Sequence, residues 1–216
     1  PAIRGVLAAH RRDKSGKRPV VTSPFEHSSV RETLAAMVRQ GLAEVTEVPV
    51  GIEGIVRAED VAAAIRPDTA LVTVMAAQNE VGTIQPVAAI AQAARARRVL
   101  FHCDAAQAFG RMPIDADIVT SSAQKLYGPT GTGATVLRGW VRDWIEPLMY
   151  GGSQEQGVRP GTVNAYGAVG FGVACRLMRE LAAADAAHQT ALRTALWEGL
   201  RAALKIGLLV GLGDSV

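Results

Sequence analysis

Short apolar runs, separated by polar turns and stretches of helical period, organise most of this chain. Residues 18–23 (RPVVTS), 70–75 (ALVTVM), 99–103 (VLFHC) and 117–121 (DIVTS) are compact and rich in β-branched side chains, which predicts buried strands. Residues 43–50 alternate apolar and polar positions and predict another strand, as does GATVLR at 133–138. Between them lie helical patterns. VRETLAAMVRQ at 30–40 predicts a helix with Ser28 or Ser29 as its N-cap, Glu32 placed for a capping box and Gly41 just past its end. Residues 58–65 predict a short helix, and Pro86 opens the helix VAAIAQAARAR, as proline often does at a first turn. The opening residues also read as helix. From Asn164 to about Ala203 the pattern is long and helical, with a kink or break expected around Ala183. Strands alternating with helices predict an α/β fold, a mostly parallel sheet with helices on both faces.

In such sheets ligands bind beyond the carboxyl ends of the strands. His27, Asn79, Asp104 with Gln107, and Ser122, Gln124 and Lys125 each follow directly after a different predicted strand. Distant in sequence, they are expected on one rim. Lys125 stands out because lysine occurs elsewhere only at 14, 17 and 205, while arginine carries most of the positive charge. A lysine amine can lose its proton and act as a nucleophile, which an arginine does not do.

Composition narrows the function classes. The 216 residues are 49% hydrophobic and 20% charged, ordinary for a globular protein with a real core. The net charge of +3 is small. Its one basic cluster, Arg11, Arg12, Lys14, Lys17 and Arg18, has no interleaved aromatics, so a solvated loop is expected rather than a nucleic-acid site. No run approaches the ~18 apolar residues of a membrane span, and the opening PAIRGVLAAHRRDK lacks the order of a secretion signal. Cys103 and Cys175 do not make a disulfide framework, so a soluble, cytoplasmic protein is expected. GPTGTG follows its lysine and therefore does not fit a P-loop. His102, Cys103 and Asp104 alternate across a strand and cannot all meet one metal ion, so His102 is expected to be a packed or hydrogen-bonded strand residue.

A lysine nucleophile, a carboxylate, an imidazole and amide side chains on one rim suit pyridoxal phosphate. Lys125 would form a Schiff base with its aldehyde. Asp104 would pair with the pyridine nitrogen, keeping the ring an electron sink. His27 would stack on the ring and exchange protons. Gln107 or Asn79 would donate to the ring hydroxyl oxygen, and Ser122 and Gln124 to the phosphate.

The motifs EHSSV, NEVG, HCDAAQAFG, SSAQKLYGP and GGSQEQGVRPGT, in this order and at these separations, resemble the cysteine desulfurases of the class V aminotransferase group. The similarity runs from about Ala2 to Ala203. It implies an aspartate-aminotransferase-like fold (pyridoxal-phosphate fold type I), a homodimer, and removal of sulfur from L-cysteine to leave L-alanine, with a sulfur-acceptor protein as partner in iron–sulfur cluster assembly. By this resemblance Lys125 matches the Schiff-base lysine, Asp104 the pyridine-nitrogen partner and His27 the ring-stacking histidine. Asn79 and Gln107 match polar residues around the ring hydroxyl, Ser122 a phosphate ligand, and Thr162 the threonine that reaches the phosphate of the neighbouring subunit.

The sequence departs from the family pattern in three ways. Gln124 stands where most members have a histidine. The chain starts after the family's glycine-and-threonine phosphate loop, and it stops before the small domain that brings the nucleophilic cysteine and the substrate-gripping arginine. Cys103 and Cys175 match neither missing position. The expectation is therefore a large cofactor domain over residues 1–203, an atypical tail at 204–216, an open sheet edge at 133–138, and no desulfurase activity by the chain alone. Two other readings stand beside it: a different class V enzyme, such as an aminotransferase or selenocysteine lyase, and a non-enzymatic remnant that folds and binds the cofactor weakly.

Overall fold

Consecutive residues of the central strands point into different cores, and this alternation builds the molecule. The computed structural model describes residues 2–12, 16 and 18–204. Its strands are β1 (Pro19–Thr22), β2 (Glu44–Glu47), β3 (Leu71–Thr73), β4 (Leu100–Asp104), β5 (Ile118–Ser122) and β6 (Gly133–Leu137). Its α-helices are α1 (Ala2–Arg12), α2 (Ser28–Arg39), α3 (Ala58–Ala64), α4 (Val87–Ala96) and α5 (Ala165–Leu204). Val21, Val72, Phe101 and Val119 enter one core, closed by Val61 and Ile65 near α3 and by Ile90 and Ala94 of α4. Val20, Leu71, Leu100 and Ile118 enter the opposite core, closed by Val6 of α1 and Leu34 of α2. Each fully buried Val, Leu, Ile or Phe contributes roughly 2 kcal/mol of transfer free energy. A sheet sandwiched this way needs near-continuous apolar strands, which is why their sequences read as short solid runs.

The strand order is β2-β1-β3-β4-β5-β6. All neighbours pair parallel except β5 and β6, which are antiparallel, with Ser122 opposite Gly133 and Ile118 opposite Leu137. Strand order reverses between β1 and β3, a switch point where the helices leaving the two strands lie on opposite faces and a crevice opens. Among the described residues β6 is an edge of the sheet.

Two local expectations change. The N-cap of α2 is His27, not Ser28 or Ser29: its Nδ1 accepts the N–H of Ser29 at 3.2 Å, and the helix begins at Ser28, two residues before the apolar pattern starts at Val30. The expected break near Ala183 is absent. Helix α5 runs unbroken for 40 residues, about 60 Å at 1.5 Å per residue. No glycine or proline lies between Gly172 and Gly199, and the alanine-rich AAADAA favours helix. Gly41 does end α2 as expected, at a φ of 66°, with Leu42 N–H bonded back to Met37 O at 2.9 Å. Leu204 closes α5, and the rest of the predicted tail, 205–216, lies outside the described residues, as do Lys14 and Lys17 of the basic cluster. Among the described residues no helix is long and apolar enough to cross a membrane.

Candidate active site

The strand ends aim their following residues at one cavity of about 510 Å³, within the usual range for small-molecule sites. His27 reaches it after β1, Asn79 after β3, Asp104 and Gln107 from the end of β4, and Ser122, Gln124 and Lys125 from the end of β5. Met75, Thr120 and His102 complete the wall below them, and Ala2 and Ile3 of α1 close one side. Thr162 stands apart. It is exposed on the loop before α5 and does not line the cavity.

Lys125 sits in a 3-10 turn, Ala123–Leu126, that begins as β5 ends. The turn is stapled at both ends: Ala123 N–H bonds to Thr132 O at 3.0 Å, and Gly128 N–H bonds to Ala123 O at 2.8 Å. Two glycines make the staple possible. A Cβ at Gly133 would lie 2.7 Å from Ser121 O, and one at Gly128 would lie 3.0 Å from Ala123 O. The glycine-rich segment after the lysine thus serves close backbone approach, not phosphate wrapping. The Lys125 amine forms no hydrogen bond or ion pair among the described residues, whereas its carbonyl accepts from Arg111 at 3.4 Å. Lys125 is also the sole lysine among those residues.

Asp104 is half-buried. Its Oδ1 accepts the Ala106 N–H at 3.0 Å, and Oδ2 has no partner among the described residues, so one oxygen is fixed and the other can accept from a ligand. At His27, Nδ1 accepts from Ser29 N–H, which leaves the ring proton on Nε2. His102 is buried and lies between Thr73 Oγ1 on β3, 2.8 Å from Nδ1, and Thr120 Oγ1 on β5, 3.0 Å from Nε2. Burial pushes its imidazole down to about 3, so the ring is neutral, the hydrogen-bonded strand residue expected.

Sequence reasoning missed Glu26. It is 4% exposed, and burial pushes its carboxyl up to about 8, with the charge of Asp104 adding in the same direction. An acidic residue among Pro, Phe, His and Ser reads as a solvated turn. Its position directly before a candidate ring-stacking histidine was the available signal.

Fold and site together define an α/β protein of the aspartate-aminotransferase type, with a small-molecule cavity at the switch point of a parallel sheet and a lone lysine on its rim. The family model for class-V aminotransferases matches residues 2–211, and the chain belongs to that family. The mitochondrial cysteine desulfurase of Candida maltosa is 41% identical over 204 residues, covering 92% of this chain and 41% of that protein. The crystal structure of DndA from Streptomyces lividans superposes with a TM-score of 0.85 at 35% identity, over 92% of this chain and 57% of that one. SspA in complex with cysteine superposes with a TM-score of 0.71 at 34% identity, over 80% of this chain and 53% of that one. The chain thus spans about half the length of the relatives it matches.

Proposed function

We propose that this chain is the cofactor-holding part of a pyridoxal-phosphate-dependent cysteine desulfurase, homodimeric, taking L-cysteine as substrate and passing sulfur to an acceptor protein. The observation that carries the reading is the meeting of Lys125, Asp104 and His27, from three separate strand ends, on one cavity. The residues present fit the cofactor: an amine and one carboxylate oxygen that have no partner among the described residues, with neutral donors around them.

On this reading the Lys125 amine would hold the cofactor through its aldehyde, and Asp104 Oδ2 would accept from the ring nitrogen. Asn79 and Gln107 would donate to the ring hydroxyl oxygen, and Ser122 and Gln124 to the phosphate, Gln124 without a charge. Thr162, on its exposed loop, would reach the phosphate of the neighbouring subunit. When bound, the cofactor supplies an electron sink for carbanion chemistry at the substrate carbon. His27, on the wall of the same cavity, would stack on the ring and move a proton at Nε2. The names of the relatives support L-cysteine as the substrate. The reading assigns the protein to the cytoplasm, whose reducing conditions suit the free thiols of Cys103 and Cys175.

Neither thiol lines the cavity. Cys103 is buried, and burial, then the neighbouring acidic groups Glu26 and Asp104, push its thiol well above the ordinary value. Cys175 lies on α5, and partial burial raises it too. The thiolate is the reactive form, so neither thiol among the described residues is fit to take up the substrate sulfur.

Titration with pyridoxal phosphate, followed by visible absorbance, tests the reading. The bound-cofactor band should saturate in the wild type, vanish in Lys125→Ala, and require about tenfold or more cofactor in Asp104→Asn. A spectrum of free cofactor at every concentration of wild-type protein would contradict it.

A further inference from the structure

Buried charged residues normally sit against an opposite charge. Asp117 obeys this: Arg138 Nε lies 3.5 Å from its Oδ1, and Phe101 N–H donates to its Oδ2 at 3.0 Å. Glu26 does not. Its Oε1 accepts from Met75 N–H at 2.7 Å and from the Ser23 hydroxyl at 3.2 Å, both uncharged donors. Its Oε2 is fully buried and has no partner among the described residues. The ionisable groups acting on it or sensing it are Asp104 and Cys103 on β4, and none is a cation. The remaining titratable neighbour, His27, is the next residue along the chain.

Glu26 therefore occupies a place that tolerates a carboxylic acid and disfavours a carboxylate. The bond to Met75 also has a direction. It ties the turn carrying His27, after β1, to the segment following β3, and Met75 itself lines the cavity. These are the two strands that flank the switch point.

We propose that Glu26 is a positioning residue that works as an uncharged acid: it clamps the His27 turn to Met75 across the switch point and keeps a second negative charge away from Asp104. The part concerning the cofactor rests on the pyridoxal-phosphate reading above; the clamp and its charge state do not. The folded-state value of Glu26, about 8 against 4.5 for an ordinary glutamate, means that the folded chain keeps a proton the unfolded chain releases. The stability this proton contributes is complete below 4.5 and is lost progressively as pH rises to about 8.

Three measurements on the full chain test it, using Glu26→Gln, which keeps the neutral shape and the acceptor oxygen, and Glu26→Ala, which removes both. In urea unfolding without cofactor, between pH 6.5 and 8, the wild-type unfolding constant should rise about tenfold per pH unit more steeply than that of Glu26→Gln. Parallel slopes overturn the uncharged state. In hydrogen exchange, the Met75 amide should stay protected in Glu26→Gln and exchange at least about tenfold faster in Glu26→Ala; equal protection in all three proteins overturns the clamp. With pyridoxal phosphate as probe at pH 7, Glu26→Gln should bind within about twofold of wild type and Glu26→Ala about tenfold more weakly. Equal binding by Glu26→Ala overturns the positioning role. Failure of the wild type to bind the probe overturns the cofactor reading, while the urea and exchange results still decide the clamp. Should Glu26→Ala not fold, Glu26→Leu, which also lacks the acceptor oxygen, takes its place in the exchange and binding measurements with the same results expected and overturning, and the slope comparison with Glu26→Gln decides the charge state.

Discussion

Replacing His102 with glutamine should change how stability depends on acid, and the size of the change follows from the structure. The ring is 2% exposed, and each nitrogen meets a threonine hydroxyl, a group that can donate or accept as the neutral ring requires. Protonation would demand two acceptors and bury a charge. The folded ring therefore titrates at about 3, against 6.5 for a free histidine. Between those values the unfolded chain binds a proton that the folded chain refuses, so the stability associated with His102 falls as pH falls. At about 1.36 kcal/mol per pH unit, the loss from pH 6.5 to 5 is roughly 2 kcal/mol.

Glu26 acts oppositely in the same window. Its folded value of about 8 means that acidification from 6.5 to 5 adds roughly 2 kcal/mol. In the wild type the two contributions nearly cancel. Single variants should uncover them: His102→Gln gains roughly 2 kcal/mol from pH 6.5 to 5 relative to wild type, Glu26→Gln loses as much, and the double variant is flat relative to wild type. Urea titrations followed by tryptophan fluorescence read these slopes, which do not depend on any fixed cost of either substitution. A His102→Gln slope equal to that of the wild type would mean that the ring titrates normally, and the buried, neutral histidine would be wrong.

Two further outcomes follow from the site. Gln124→His adds a group able to form a charge-assisted bond to phosphate, about twice as strong as a neutral one, so cofactor affinity should rise by a factor of a few to tens; an unchanged dissociation constant would mean that position 124 does not face the phosphate. The chain alone should release no sulfide from L-cysteine, since Cys103 and Cys175 are poor thiolates away from the cavity; turnover that disappears in Cys103→Ser or Cys175→Ser would refute this.

The sheet was legible because its strands are covered on both faces. Runs such as ALVTVM and VLFHC can be nearly continuously apolar only if both sides are buried, and the polar residue following each run marks the open end of the strand. That rule located His27, Asn79, Asp104, Gln107 and the Ser122–Lys125 segment together on the cavity. What stayed hidden depends on tertiary surroundings. Glu26 and Ser28 lie in one polar stretch, yet the first is buried and bonded to the distant Met75 N–H while the second is exposed. Local sequence carries no record of those neighbours. The histidine cap of α2 was missed because hydroxyls are the usual cap, and the continuity of α5 because helical period weakens where a helix lacks a second face to pack on. Of its length, Gly167, Phe171, Ala174 and Met178 are buried, all in the first half.

The central claim is that Lys125 holds the cofactor. The direct measurement is to mix the purified chain with pyridoxal phosphate, reduce with borohydride, and map the fixed adduct by peptide mass spectrometry. The account predicts modification at Lys125, with Lys14, Lys17 and Lys205 left unlabelled. An adduct spread over those other lysines, with Lys125 unmodified, would contradict it.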